Sequence, residues 1–247
     1  MAKEKEGIRS SCARCPGTIC YPLIPTGAPM PPVEEAPAFC PMRRFPEAID
    51  RASDMYGNPG VREFARLASL QEAQCYELDA AGIRTRIPRI EETLEFARKC
   101  GYTRIGIAFC VGLKEEARMV ASIFENKGFE VVSVNCKVGR VPKEDIGLQG
   151  NEKIMGPDLM EPMCNPIAQA EIMEAEEVDL AVLLGLCVGH DTLFFRSCRV
   201  PCTVLAVKDR VLGHNPLAAL YLSKSPYYGR LNTPGQTDAE VPKIRLD

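Results

Sequence analysis

The chain has 247 residues, enough for one large α/β domain or two small ones with a real hydrophobic core. Thirty Lys and Arg against 33 Asp and Glu leave a net charge of −3, which excludes the strongly basic footprint of a nucleic-acid binder, and 46% hydrophobic residues exclude a disordered chain. Twelve cysteines stand beside two histidines and no tryptophan, and the functional argument starts from that imbalance.

In chain order, Met1 to Arg9 is charged and lacks the apolar stretch of a secretory signal. The uncharged run from Cys15 to Val33 holds six prolines and does not make a membrane helix. A cytoplasmic chain with reduced thiols is expected, in which so many cysteines point to metal rather than to cross-links. Residues 1–45 read as an irregular arm rich in cysteine and proline, and 46–247 as an α/β domain that begins with helices. Helical spacing predicts helices over Pro46–Tyr56, Gly60–Ala81 and Ile90–Lys99, with Val61, Phe64, Ala65 and Ala68 sharing a face of the second.

Strand and helix then alternate. Short apolar runs predict strands over Arg104–Cys110, Phe129–Cys136, Val178–Cys187 and Cys202–Lys208, with helices over Leu113–Asn126 and Pro166–Glu177 between them. Near-continuous apolar strands joined by helices predict a parallel, doubly wound, Rossmann-like sheet covered on both faces. Lys137–Met163 reads as a loop of a length usually tied to function.

Cys110, Cys136 and Cys187 each fall at or near the end of a predicted strand, and the carboxyl edge of such a sheet is where ligands bind. Cys164 precedes a predicted helix start on the same edge, where free amides favour a thiolate. Four converging thiolates suit iron–sulfur or zinc. The bland reading is four buried cysteines filling space. Cys12, Cys15, Cys20 and Cys40 form a second group, whose Cys-x2-Cys start has the spacing of metal ligands in an arm too small for its own core. Cys75 and Cys100 read as core, and Cys198 and Cys202 as packing about a strand start.

Gly185-Leu-Cys-Val-Gly-His190-Asp191 reads as a strand-to-helix turn, in which His190 and Asp191 are an acid–base pair or Asp191 is simply a helix cap. Lys208, Asp209 and His214 follow the last strand and join the candidate pocket groups. No dinucleotide or P-loop glycine pattern follows a strand.

The runs Gly106-Ile-Ala-Phe-Cys110, Cys164-Asn-Pro-Ile-Ala-Gln-Ala170, Gly185–Asp191 and Lys208-Asp-Arg-Val211 with Gly213-His-Asn-Pro216 are similar to those of a prokaryotic domain-of-unknown-function family of cysteine-rich metal-binding proteins. The resemblance implies metal binding and an α/β domain without naming a reaction. The resulting expectation is a [4Fe–4S] cluster on Cys110, Cys136, Cys164 and Cys187 doing small-molecule redox or sulfur chemistry, with a second site in the arm. The alternatives are a zinc-stabilised binding module, zinc above all in the arm, or a carrier of metal or sulfur. The expected partner is a small-molecule substrate or an electron-transfer partner, with neither nucleic acid nor membrane.

Overall fold

Alternation along the strands decides how the sheet is covered. In β3 (Arg104–Phe109), Ile105, Ile107 and Phe109 pack into one apolar cluster, while Ala108 and the following Cys110 pack into another on the opposite face. The first cluster includes Leu94 and Ala97 of α4 (Arg89–Lys99) and Ala117, Val120 and Phe124 of α5 (Lys114–Asn126). The second includes Ala170 and Met173 of α6 (Pro166–Ala175) and Phe194 of α7 (His190–Ser197). Both faces of the sheet are therefore dry, as the apolar strands require.

The computed structural model describes residues 9–17, 19–235 and 244–246; the charged run at residues 1–8 lies outside them. The fold divides into two compact units, residues 1–72 and 73–247. In the first, short 3-10 turns at Cys12–Arg14 and Val33–Glu35 precede α1 (Pro41–Arg44), α2 (Pro46–Met55) and α3 (Pro59–Gln74), each opened by a proline. Asn58 caps α3 by accepting from the amides of Gly60 and Val61.

The second unit opens with an antiparallel hairpin, β1 (Tyr76–Asp79) and β2 (Gly82–Thr85), where helical spacing had predicted a helix through Ala81. Asp79 turns the chain by accepting from the amide of Ala81, and Gly82 takes φ +118°. The main sheet then forms from β3, β4 (Glu130–Asn135), β5 (Leu180–Leu184) and β6 (Cys202–Ala206), all parallel, in the order β4-β3-β5-β6. The chain leaves β3 for β4 on one side and returns to β5 on the other, so the topological switch lies between β3 and β5. This is the doubly wound α/β sheet expected from the sequence. Gly106 lets α6 approach closely: a Cβ there would lie 2.2 Å from the Met173 sulfur.

Residues 137–163 have 3-10 turns at Lys143–Ile146 and Gly150–Glu152 and are braced by ion pairs. Lys143 meets Glu161 at 2.6 Å, and the buried Lys153 meets Glu144 at 2.6 Å and the Leu159 carbonyl at 2.8 Å. Beyond β6 lies the one-turn helix α8 (Leu217–Tyr221). Among the described residues, no helix is long and apolar enough to cross a membrane.

Candidate functional site

Cys110 follows β3 and Cys136 follows β4, and register brings them together: Phe109 pairs with Asn135, and the Cys136 amide donates to the Phe109 carbonyl at 2.9 Å. Both thiols share the face covered by α6, and both are buried, Cys136 to 1% exposure. Cys164 arrives from the other direction. The amide of Asn165 donates to the Cys136 carbonyl at 2.7 Å, and the Asn165 side chain caps α6 by accepting from the Ala168 amide at 3.0 Å. The Cys164 and Cys136 sulfurs form a hydrogen-bonded pair 3.7 Å apart, and Cys164 is half-buried.

The charges on these thiols are unequal. Cys164 is pulled down to about 4, first by the hydrogen bond from Cys136 and then by His190, which outweigh burial. Cys110 is pulled down to about 5, again first by Cys136, helped by the Gly112 amide and the Lys208 ammonium. Cys136 is pushed far up by its hydrogen bonding with Cys110 and Cys164 and by burial between them. The Val111 amide also donates to its sulfur at 3.3 Å. His190 is raised by its contact with Cys164. The two outer thiols are thus biased toward the thiolate and the central one toward the thiol, with Lys208 beside Cys110 and His190 beside Cys164.

Lys208 reaches the site from the loop after β6. A Cβ on Gly112 would lie 3.4 Å from its Nζ and 3.9 Å from the Cys110 sulfur, so the glycine leaves room for that approach. His190 begins α7 after a turn in which Gly189 takes φ +86°. Asp191 is not the helix cap, since Gly189 holds that position; its carboxylate accepts from the Thr192 amide.

Cys187 stands on the same edge but makes a different contact: Arg210 donates to its sulfur at 2.9 Å. Asp209 and His214 build the loop that carries Lys208 and Arg210. The Asp209 carboxylate accepts from the amides of Val211 and Leu212, and its own amide donates to His214 Nδ1 at 3.1 Å. Cys12, Cys15, Cys20 and Cys40 lie in the first unit; Cys12 and Cys20 are exposed, and Cys15 hydrogen-bonds the Gly17 carbonyl. Cys198 and Cys202 pack against the α6 side of the core, with Cys198 raised to about 11 by burial. Among the described residues, no group of three or more His, Cys, Asp or Glu side chains is assembled to hold a metal ion, so neither expected four-thiol set is gathered as a ready cage.

Of the residues singled out in the sequence, the fold brings together Cys110, Cys136, Cys164, His190 and Lys208. Arg210 belongs to the run expected on this edge but not to the candidate pocket groups, and the amides of Val111 and Gly112 carry no side-chain signal in the sequence.

Residues 40–205 match the family described as protein of unknown function (DUF1847). The chain is also 40% identical over 161 residues to the uncharacterized protein MJ0455 of Methanocaldococcus jannaschii, a match covering 65% of this chain and 81% of that protein.

Proposed function

The chain belongs to this family of unknown function, and from that premise we propose that its sheet edge performs thiol–disulfide exchange on a small-molecule disulfide. Cys164 is the nucleophile, Cys136 the resolving thiol, His190 the cation that holds Cys164 ionised. The observation that carries the reading is the 3.7 Å separation of the Cys136 and Cys164 sulfurs, van der Waals contact between the two atoms that a disulfide would join.

The Cys164 thiolate attacks one sulfur of the substrate disulfide, forming a mixed disulfide and releasing one thiolate, which takes a proton from water. Capping Cys164 removes one of the anionic neighbours that hold the proton on Cys136. Cys136 then ionises more easily and attacks the Cys164 sulfur. The product is a Cys136–Cys164 disulfide and a second released thiol, so two electrons pass from the protein to the substrate. Cys110, with Lys208, is a further thiolate able to attack that disulfide. A reducing, cytoplasmic setting suits a site that works as a dithiol.

The test is oxidation of the full chain with oxidised glutathione, followed by peptide mass spectrometry without reductant. The expected product joins Cys136 to Cys164, and Cys136→Ser leaves glutathione trapped on Cys164. Equal trapping of glutathione by Cys136→Ser and by the double variant Cys136→Ser/Cys164→Ser overturns the assignment.

One observation also favours a metal. A tetrahedral ion with metal–sulfur bonds of about 2.3 Å spaces its sulfurs about 3.8 Å apart, close to the spacing of Cys136 and Cys164. A [4Fe–4S] cluster takes each thiolate on a different iron and holds them farther apart, and Cys187 is turned to Arg210. The cofactor reading is a single zinc or iron ion on the Cys136–Cys164 pair, whose binding would have to draw Cys110 in as a third thiolate; zinc on Cys12, Cys15, Cys20 and Cys40 of the arm rests on the Cys-x2-Cys spacing alone. Such an ion would fix the three thiolates and act as a Lewis acid. Metal and acid-labile sulfide analysis of anaerobically purified protein separates the readings, and metal-free, sulfide-free protein removes this one.

A further inference from the structure

α6 carries a side chain whose placement is out of keeping with its chemistry. Gln169 is completely buried, 0% exposed, among apolar side chains of a tightly packed helix–sheet interface. Its Nε2 donates to the Val134 carbonyl at 2.7 Å and to the Phe109 carbonyl at 3.3 Å. Its Oε1 is buried with no hydrogen-bond partner among the described residues. A buried acceptor left unmatched costs stability, and a leucine or methionine of similar volume would avoid the loss. Folding alone does not account for an amide here.

Its partners do. Phe109 immediately precedes Cys110, and Val134 lies two residues before Cys136, so one side chain ties together the ends of the two strands that deliver these thiols. The Phe109 carbonyl also accepts from the Cys136 amide. Gln169's own amide donates to the Asn165 carbonyl, and the amide of Asn165, next to Cys164, donates to the Cys136 carbonyl. Because Gln169 sits one turn into α6, its two side-chain bonds tie the start of that helix, and Cys164 just before it, to the ends of β3 and β4.

We infer that Gln169 is the positioning residue of the three-thiol site, holding the ends of β3 and β4 and the start of α6 in the register that sets the sulfur separations. This rests on the reading that Cys110, Cys136 and Cys164 work together. The role is geometric, since Gln169 makes no contact with the sulfurs that the structure records.

The test compares wild type with Gln169→Met, which keeps volume and removes the donor. The readouts are the rate of Cys136–Cys164 disulfide formation with oxidised glutathione and the melting temperature. The expected result is a rate about tenfold lower in the variant, the scale on which small misplacements of reacting groups act, with Cys198 alkylated at the wild-type rate. An unchanged rate in a folded variant overturns the inference.

Should wild type itself form no disulfide, the exchange reading falls while Gln169 remains testable. Iodoacetamide labelling of Cys110 and Cys164 then shifts in the variant if Gln169 sets their placement, and stays the same if it does not. Should the variant fail to fold, the wild-type Gln169 side-chain amide resonances decide. Slow hydrogen exchange and a shift on alkylation of Cys164 support the inference, and solvent-like exchange with no shift overturns it.

Discussion

Removing the Cys136 side chain takes away the hydrogen-bonding partner that both neighbouring sulfurs share. Cys136→Ala should therefore raise the values at which Cys110 and Cys164 ionise, from about 5 and about 4 toward the ordinary thiol range. His190→Asn should raise Cys164 and leave Cys110 unchanged. Thiolate absorbance against pH checks both. The same shifts link stability to pH. Cys110 and Cys164 ionise at lower pH in the folded chain than in the unfolded one, so the unfolded chain binds more protons from about pH 4 up to the ordinary thiol range. Their contribution is complete above that range and is lost as pH falls through about 5 and then 4. His190, raised, works in the opposite sense just above its ordinary value and offsets part of the rise. Melting curves should therefore show Cys164→Ser closing the gap to wild type as pH drops toward 4, and a gap independent of pH would contradict it. At this scale, what the sequence made legible was position along the chain. Cys110 and Cys136 sit at strand ends, and strand ends are visible in the apolar runs. Cys187 looked equivalent because sequence does not say that Arg210 claims its sulfur. Gln169 was invisible because a glutamine in a helix reads as solvent-facing unless the buried face is already known.

Among the elements, α6 matters most to the site, because its start carries Cys164 and its body presses on β3. Asn165→Ala removes the cap that accepts from the Ala168 amide and should cost about 0.5–2 kcal/mol, read by denaturant unfolding. The backbone bond from the residue-165 amide to the Cys136 carbonyl is kept in the variant, so the Cys136–Cys164 separation should change little. Between β5 and α7, Gly185 takes φ +68°, and a Cβ there would lie 2.2 Å from a Leu113 methyl. Gly185→Ala therefore combines a left-handed conformation costing roughly 1–2 kcal/mol with a clash that displaces the turn bearing Cys187 and His190. The parallel strands and their helices were legible because burial on both faces leaves near-continuous apolar runs, as in Leu180–Leu184. The β1–β2 hairpin was not, because its strands are exposed almost throughout and the alternation in Tyr76-Glu77-Leu78-Asp79 is only four residues long. The brace of residues 137–163 escaped for the opposite reason. Lys143, Lys153, Glu144 and Glu161 read as solvated charges, yet the fold turns them inward onto one another.

For the sheet-bearing unit as a whole, the site's chemistry and its stability are coupled through chain topology. Cys136 and Cys164 are 28 residues apart and bound the long segment between β4 and α6. Joining them would remove loop entropy from the unfolded chain, worth about 3–4 kcal/mol in the chain-entropy account. Geometric strain should subtract little, because the sulfurs already stand in contact and Asn165 and Gln169 hold their backbones. Oxidation also forfeits the stabilisation carried by the Cys164 thiolate, so the oxidised protein should melt several degrees above the reduced one near pH 4, where that contribution is lost, and by less at neutral pH, with the largest gain in hydrogen-exchange protection across residues 137–163. β3 and β5, central and buried on both faces, should be the slowest-exchanging strands in either state. Differential scanning calorimetry with and without dithiothreitol checks the shift, with Cys136→Ala as the control that should show none. An oxidised form that melts at or below the reduced one would mean that closing the bond strains the sheet edge, and that the two sulfurs are held near each other for a purpose other than joining.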